Sequence, residues 1–296
     1  MKRALAVLLS LTMLFSLSSA AYAEEDKQTT ELSNINGPSV YLSRSDKLEF
    51  ADQMSSVYAQ KLLLNEVKVP TRDLIDNLLL QVSIASPAEQ KQINAELESY
   101  GVYKFDCPVI ERATTRTGTG DVTLAAPVIY YEAWNNCWSV TCGGEWNNTN
   151  YGGYINDVGG DDGFGVGYTN SSNPYKSSVV SCSAYLTDAN NRYYESTSNR
   201  SDGDGSKGFG FRLQDGWQNI GNYVGHKWSG VCTYDNWFGN YNGVATAYYI
   251  HTYNEANLKS VTFGKNGTTA GIEANIEAVE SSFTAFSNDT VFGTYP

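Results

Sequence analysis

The sequence contains few of the residues and patterns that mark common enzyme sites. Only two histidines occur among 296 residues, His226 and His251, and neither lies in an H-E-x-x-H pattern. No C-x-x-C spacing is present, so nothing in the sequence indicates a zinc site. The G-x-S-x-G pattern of α/β-hydrolase nucleophiles is missing as well. Binding and carboxylate chemistry therefore remain as the main functional classes.

Positive charge and long apolar runs are also scarce. The chain has 20 Lys and Arg against 32 Asp and Glu, which gives a net charge of −12. Phosphate backbones and anionic headgroups repel such a surface, so we expect no nucleic-acid partner. After the N-terminal segment, no stretch is apolar over the roughly 20 residues that a spanning helix needs. We expect no membrane span in the mature protein.

The first 23 residues have the pattern of a cleavable signal peptide. Lys2 and Arg3 precede an apolar run over residues 4–17, and small residues follow up to an A-x-A-like site at residues 21–23. A membrane anchor is the alternative, but the apolar run is shorter than a bilayer requires and no charged stop follows it. We expect cleavage after residue 23 and a secreted, extracellular protein.

Composition divides the rest of the chain. Residues 24–117 contain no Trp and two Gly, whereas residues 118–296 contain all six Trp, 16 Tyr, 8 Phe and 25 Gly. We interpret residues 24–111 as a helical pre-region, residues 112–121 as a Gly/Thr-rich linker and residues 122–296 as an aromatic-rich β domain. Two arginines in the linker suit a trypsin-like protease, so the pre-region fits both a removable propeptide and a retained domain.

Local signals predict three helices in the pre-region. Apolar residues recur at spacings of three and four from about residue 43 to residue 62. Thr71 is suited to cap a second helix, and Ser86 with Glu89 forms the pattern of a capping box for a third. Gly101 is a natural residue to follow the end of that helix.

From residue 128 onward the sequence predicts short strands. Runs rich in β-branched and aromatic residues alternate with Gly, Asn, Asp and Ser clusters. About ten to twelve such strands without helical spacers favour antiparallel pairing in a β-sandwich or jelly roll. Residues 271–283 fit both strand and helix periods, and the surrounding β context favours strand.

The five cysteines predict disulfides. Cys107 lies in the pre-region, and an even set, Cys137, Cys142, Cys182 and Cys232, lies in the β domain. Exported proteins meet an oxidising environment, so we expect these four to pair. Four cysteines allow three connectivities, and the sequence does not choose among them.

Four residues are candidates for catalysis. Glu132 and Glu145 lie among aromatic residues, and glycoside hydrolysis uses two carboxylates across a cleft. His226 and His251 could serve in a nucleophile–base arrangement. The alternative is that the glutamates lie on a solvated strand face and the histidines are hydrogen-bonded strand residues, and we favour a protein that is not an enzyme.

Two acidic loops offer oxygen ligands suited to calcium. The first contains Asp161 and Asp162, and the second contains Asp202 and Asp204. Asp-Gly pairs are also ordinary in hairpin turns, and this reading is favoured. We expect no cofactor other than calcium at these loops.

The high number of aromatic residues in the β domain gives the strongest indication of function. Trp134, Trp146, Trp237 and Tyr241 have Asn, Gly or other aromatic residues as neighbours, which suits stacking on sugars with hydrogen bonds from amides. The same rings could instead fill a sandwich core. Our hypothesis is a secreted, non-enzymatic β-sandwich that binds a glycan or a cell-surface protein. The alternatives are a secreted hydrolase made as a zymogen, and an antimicrobial or toxin-like protein.

Overall fold

The structure is a computed structural model that describes residues 44–111, 122–147, 161–170, 177–200, 207–217, 223–252, 257–266, 269–277 and 282–293. The predicted signal peptide and the predicted linker lie outside these residues. Residues 39–296 belong to one compact unit, and the architecture below is that of this unit.

Three helices precede all the described strands: α1 (Arg44–Leu63), α2 (Arg72–Val82) and α3 (Pro87–Ser99). Their ends follow the predicted signals. The Leu74 amide donates to the Thr71 hydroxyl at 3.3 Å, and the Ser86 amide donates to Glu89 Oε2 at 2.9 Å. Gly101 has φ 78°, a left-handed conformation suited to the residue after a helix. Among the described residues, no helix has the length and apolarity to cross a membrane.

Sixteen strands make up the rest of the described fold. They are β1 (Val102–Phe105), β2 (Val109–Ile110), β3 (Val122–Leu124), β4 (Val128–Glu132), β5 (Cys137–Trp146), β6 (Asp161–Asn170), β7 (Val179–Thr187), β8 (Tyr193–Thr197), β9 (Gly208–Gln214), β10 (Gly216–Trp217), β11 (Tyr223–Val224), β12 (Lys227–Tyr234), β13 (Gly243–Thr252), β14 (Asn257–Asn266), β15 (Thr269–Glu277) and β16 (Ser282–Val291). A short 3-10 helix, Asn236–Asn240, follows β12.

The strands form two main antiparallel sheets. The first has the order β1-β4-β5-β12-β7-β8, with β3 also paired to β5, and the second has the order β2-β16-β13-β6-β9. Buried residues from both sheets, such as Val140 and Phe164, form one core. This arrangement confirms the predicted fold class, an antiparallel all-β sandwich preceded by a small helical region. Within the ambiguous segment, residues 271–277 belong to β15, which pairs with β14, and residues 282–283 begin β16.

Helices α2 and α3 cover the outer face of the first sheet. A second buried cluster joins Ile75, Leu79 and Leu97 of the helices to Tyr130 and Val231 of the sheet. The molecule therefore has three layers: helices, first sheet and second sheet. The approach is close enough that a Cβ on Gly143 of β5 would lie 2.7 Å from Ser83 Oγ, so glycine is required there.

The pre-region also supplies strands, which the sequence analysis did not assign. β1 pairs with β4, and β2 pairs with β16. Both strands follow the last helix and are only four and two residues long, so they give little periodic signal. Their pairing makes the pre-region part of both sheets.

Candidate functional site

Glu132, a predicted catalytic candidate, is an anchor for the helical layer. Its side chain is fully buried at the end of β4. Arg72 of α2 binds both carboxylate oxygens, with nitrogen–oxygen distances of 2.6 and 2.9 Å. The Ser139 hydroxyl donates to the same carboxylate. Bidentate pairing of this kind fixes the orientation of the Glu132 carboxylate and compensates its charge. The carboxylate is thereby turned away from solvent.

Two further residues complete this buried network. Asp76 lies 2.8 Å from the Arg72 guanidinium, one turn along α2. Burial raises the pKa of Asp76 to about 6, against the opposing effect of Arg72. The Trp134 ring lies 5.6 Å from the Arg72 guanidinium carbon in a cation–π contact. Trp134 is therefore half-buried against the helical layer.

Glu145, the second carboxylate candidate, lies far from Glu132. Glu132 is opposite Cys137 at one end of β5, and Glu145 is near the other end. Glu145 is the eighth residue after Cys137 on the extended strand, about 27 Å away at the usual rise per residue. Glu145 is exposed and forms an ion pair with Lys227 at 3.4 Å. The two glutamates thus do not meet across a cleft, which for glycoside hydrolysis needs carboxyl groups roughly 5–10 Å apart.

A described cavity beside Trp237 combines an exposed aromatic ring with amide side chains. It measures about 500 Å³ and opens between α1, the turn after β4 and the 3-10 helix. Trp237 is 48% exposed. The polar lining consists of Asp52, Ser55, Tyr131, Asn136, Asn236 and Asn240.

Local structure holds this lining in place. Asp235 caps the 3-10 helix by accepting from the Trp237 amide at 3.0 Å. Asn240 Nδ2 donates to the Trp237 carbonyl at 3.2 Å. The Tyr131 hydroxyl donates to Asn136 Oδ1 at 3.0 Å and lies 2.7 Å from Ser55 Oγ. The cavity therefore combines a supported indole ring with amides and hydroxyls, a composition suited to a small polar ligand.

The other predicted ligand-binding residues do not line this cavity. Trp146 and Tyr241 are 7% and 6% exposed and belong to the sandwich core. Trp146 packs edge-on against Tyr249, and Tyr241 against Phe238. The flanking Asn residues around Trp237 were visible in the sequence. The contribution of α1 to the wall, through Asp52 and Ser55, had no sequence signal because it depends on tertiary packing.

The predicted disulfides are not formed. All five cysteines are free thiols in the structure. Cys182 and Cys232 are directly opposite each other on β7 and β12, with their sulfurs 3.8 Å apart. Cys142 is opposite Gly230, and Cys137 lies at the far end of the same strand. Cys137 and Cys142, five residues apart on an extended strand, are too distant to bond to each other.

His251 and Asp162 meet in a buried cluster between the sheets. His251 Nδ1 lies 2.9 Å from Asp162 Oδ1, and the Tyr249 hydroxyl donates to Asp162 Oδ2 at 2.6 Å. Burial raises the pKa of Tyr249 well above its ordinary value, and the Asp162 charge adds to this. Asp215, which the sequence analysis did not single out, also belongs to this cluster. Asp215 precedes Gly216, and an Asp-Gly pair by itself is typical of turns.

The remaining candidates fall elsewhere or outside the described residues. His226 is buried beside β12, and burial lowers its pKa. Asp161 lies at the start of β6, where its carbonyl accepts from the Thr252 hydroxyl at 2.9 Å. Asp202 and Asp204, the second calcium loop, lie outside the described residues.

Comparison with known proteins gives no family. No family model matches the chain, and no curated protein matches it. Among solved structures, a chain described as "pH-induced modulation of Streptococcus parasanguinis adhesion by Fap1 fimbriae" matches at 13% identity and a TM-score of 0.30. The match covers 65% of this chain and 96% of that chain. A likeness at this level does not bear on function.

We expect Arg72→Leu to destabilise the protein strongly. The change leaves the buried Glu132 carboxylate without its cation, which costs about 3–5 kcal/mol of unfolding free energy. Urea denaturation followed by circular dichroism measures the loss. Arg72→Leu combined with Glu132→Leu should recover most of it. Lys104→Leu, which removes an exposed cation, is the control and should change stability by less than about 0.5 kcal/mol. Equal effects of Arg72→Leu and Lys104→Leu would contradict this account.

Cys182 should be the thiol that reacts first with an alkylating agent. A hydrogen bond from the Cys232 thiol, with Arg200 beside it, lowers the pKa of Cys182 to about 7. Burial instead raises the pKa of Cys137 to about 11 and that of Cys142 to about 12. The Cys182 rate should rise through pH 7 and exceed the others by on the order of tenfold or more.

Peptide mapping after iodoacetamide treatment in the presence of a phosphine reductant measures these rates. Arg200→Gln should shift the midpoint for Cys182 to higher pH. Uniform labelling of all five thiols, or a midpoint near pH 9 for Cys182, would contradict the assignment.

Proposed function

We propose that the protein is a secreted, non-enzymatic binding protein whose ligand is a glycan held at the Trp237 cavity. The observation that carries this proposal is the exposed Trp237 ring, bordered by the amides of Asn136, Asn236 and Asn240. Sugars present apolar ring faces and rows of hydroxyls. An indole face can stack on an apolar sugar face. Amide and hydroxyl groups can both donate hydrogen bonds to the sugar hydroxyls and accept them.

The shape of the site supports a small oligosaccharide rather than a large protein partner. A cavity of about 500 Å³ lies in the range of small-ligand pockets. Trp237 is the exposed aromatic of this cavity, whereas Trp138, which also lines it, is buried. A ligand held by one ring and its rim of polar groups would bind by stacking and hydrogen bonding, with Asp52 as the acidic group of the lining.

A binding role is favoured over the hydrolase alternative by the placement of the acidic residues. Glu132 is bound by Arg72 and Ser139, and Glu145 pairs with Lys227 about 27 Å away along β5. Hydrolysis of a glycoside needs an acid and a second carboxylate close together. In the described part of the chain, Asp52 faces the cavity without a second carboxylate in its lining.

The proposal treats the pre-region as part of the mature protein. Residues of α1 form one wall of the cavity, and β1 and β2 complete the sheets. Removal of residues 24–111 would therefore open the cavity as well as expose sheet edges. Export itself rests on the N-terminal signal pattern.

Trp237→Ala tests the proposal directly. A glycan array selects a ligand for the wild-type protein, and isothermal titration calorimetry then gives the dissociation constants. Truncation of a central aromatic anchor costs about 2 kcal/mol, roughly a thirtyfold loss of affinity.

Tyr193→Ala is the matched control, because Tyr193 is 63% exposed and lines a separate cavity of about 580 Å³ between the helical layer and β8. This variant should bind as the wild type does. Absence of any glycan signal for the wild type, or unchanged affinity in Trp237→Ala, would refute the proposal.

A further inference from the structure

Two carboxylates and an imidazole meet at one end of the second sheet. Asp162 is near the start of β6, His251 is near the end of β13, and Asp215 directly follows β9. The three residues are only 2–3% exposed. One ligand atom from each lies within 4.8 Å of the other two. Since β13, β6 and β9 are neighbours in the sheet, the strand pairing itself brings these residues together.

Outer hydrogen bonds fix the direction of the two carboxylates. The Thr252 amide donates to Asp162 Oδ1 at 3.1 Å, and the Tyr249 hydroxyl donates to Asp162 Oδ2 at 2.6 Å. The Tyr223 hydroxyl donates to Asp215 Oδ2 at 2.6 Å. Metal-binding carboxylates are held in a fixed orientation by hydrogen bonds of this kind.

The surroundings of the cluster are apolar and aromatic. The Trp146 ring lies edge-on to the His251 ring, with centroids 5.1 Å apart. Tyr249 stacks on Trp228 at 3.9 Å. Two carboxylates within such walls lose the hydration of their charges, which is costly unless a cation compensates them. A divalent ion bound between the two carboxylates would neutralise both at once.

We propose that Asp162, Asp215 and His251 bind a divalent transition-metal ion, of which Zn²⁺ is the representative. One imidazole nitrogen with two carboxylate oxygens is a ligand set that Zn²⁺ and its neighbours accept. Calcium fits less well, because it takes six to eight oxygen ligands on flexible turns. The metal binds the imidazole in its neutral form, through a nitrogen that carries no proton, and it binds the carboxylates in their ionised form. A proton shared between His251 and Asp162 is therefore released when the metal binds.

The ion would join the ends of three neighbouring strands at one end of the second sheet. This function is structural and separate from the glycan site. Trp146, which packs against His251, and Trp138, which lines the Trp237 cavity, lie eight residues apart on β5, about 27 Å. Loss of one site is therefore measurable without loss of the other.

Metal titration of the full exported chain tests the proposal. The protein is stripped with EDTA, supplied with Zn²⁺ and desalted, and bound metal is counted by plasma mass spectrometry. We expect one zinc per chain. At a free Zn²⁺ concentration about a hundredfold above the dissociation constant, the melting temperature should rise by roughly 5–10 °C. Co²⁺ in place of Zn²⁺ should give visible d–d absorption bands.

Variants locate the site. His251→Gln and Asp215→Asn should each lose the bound metal, the thermal shift and the cobalt bands, while His226→Gln, the control at the other histidine, should keep all three. If His251→Gln fails to fold, Asp215→Asn carries the test, since its amide keeps a similar shape. A wild-type protein that takes up no metal and shows no thermal shift would overturn the proposal, and the cluster would then be a buried hydrogen-bond network. Undiminished metal binding in Asp215→Asn would also overturn it.

Discussion

The bidentate contact between Arg72 and Glu132 is the constraint on which the arrangement of the layers depends. It joins the first turn of α2 to the last residue of β4, where the carboxylate is fully buried. A buried charge without its partner is costly, so the sheet is stable in this form only with the helix in place. Ser139 and Thr233 extend the network across the sheet, with their hydroxyls 2.6 Å apart. The helical region is thus a layer of the fold and not a separate body beside it.

The position of the helices determines which surfaces remain open. With α2 and α3 on the first sheet, rings of that face such as Tyr130 and Tyr185 belong to the buried cluster under the helices. Helix α1 instead lies beside the 3-10 helix and completes the cavity around Trp237. The second sheet keeps its polar cluster of Asp162, Asp215 and His251 enclosed against Trp146. Ligand recognition and the proposed metal site therefore occupy different parts of the same sandwich.

Local sequence signals predicted the elements well, and tertiary relations poorly. Thr71, Ser86 and Gly101 marked helix ends because capping depends on neighbouring residues only. Runs of β-branched and aromatic residues between turn clusters indicated the β domain for the same reason. Burial of Trp146 and the separation of Glu132 from Glu145 depend on strand order, which no short pattern encodes. Exposure of Trp237 follows from its place in a 3-10 helix outside the sheets, and Asp215 joins His251 only through pairing of distant strands.

The central claim is that the helical layer and the sandwich unfold together. Native-state hydrogen exchange at low denaturant measures it most directly, through the amides of Leu79 in α2, Val102 in β1 and Val140 in β5, all buried. The account predicts that the three amides exchange with the same opening free energy, equal to that of global unfolding. Exchange of Leu79 and Val102 at a much lower free energy, with Val140 still protected, would contradict it, because the helical layer would then open on its own.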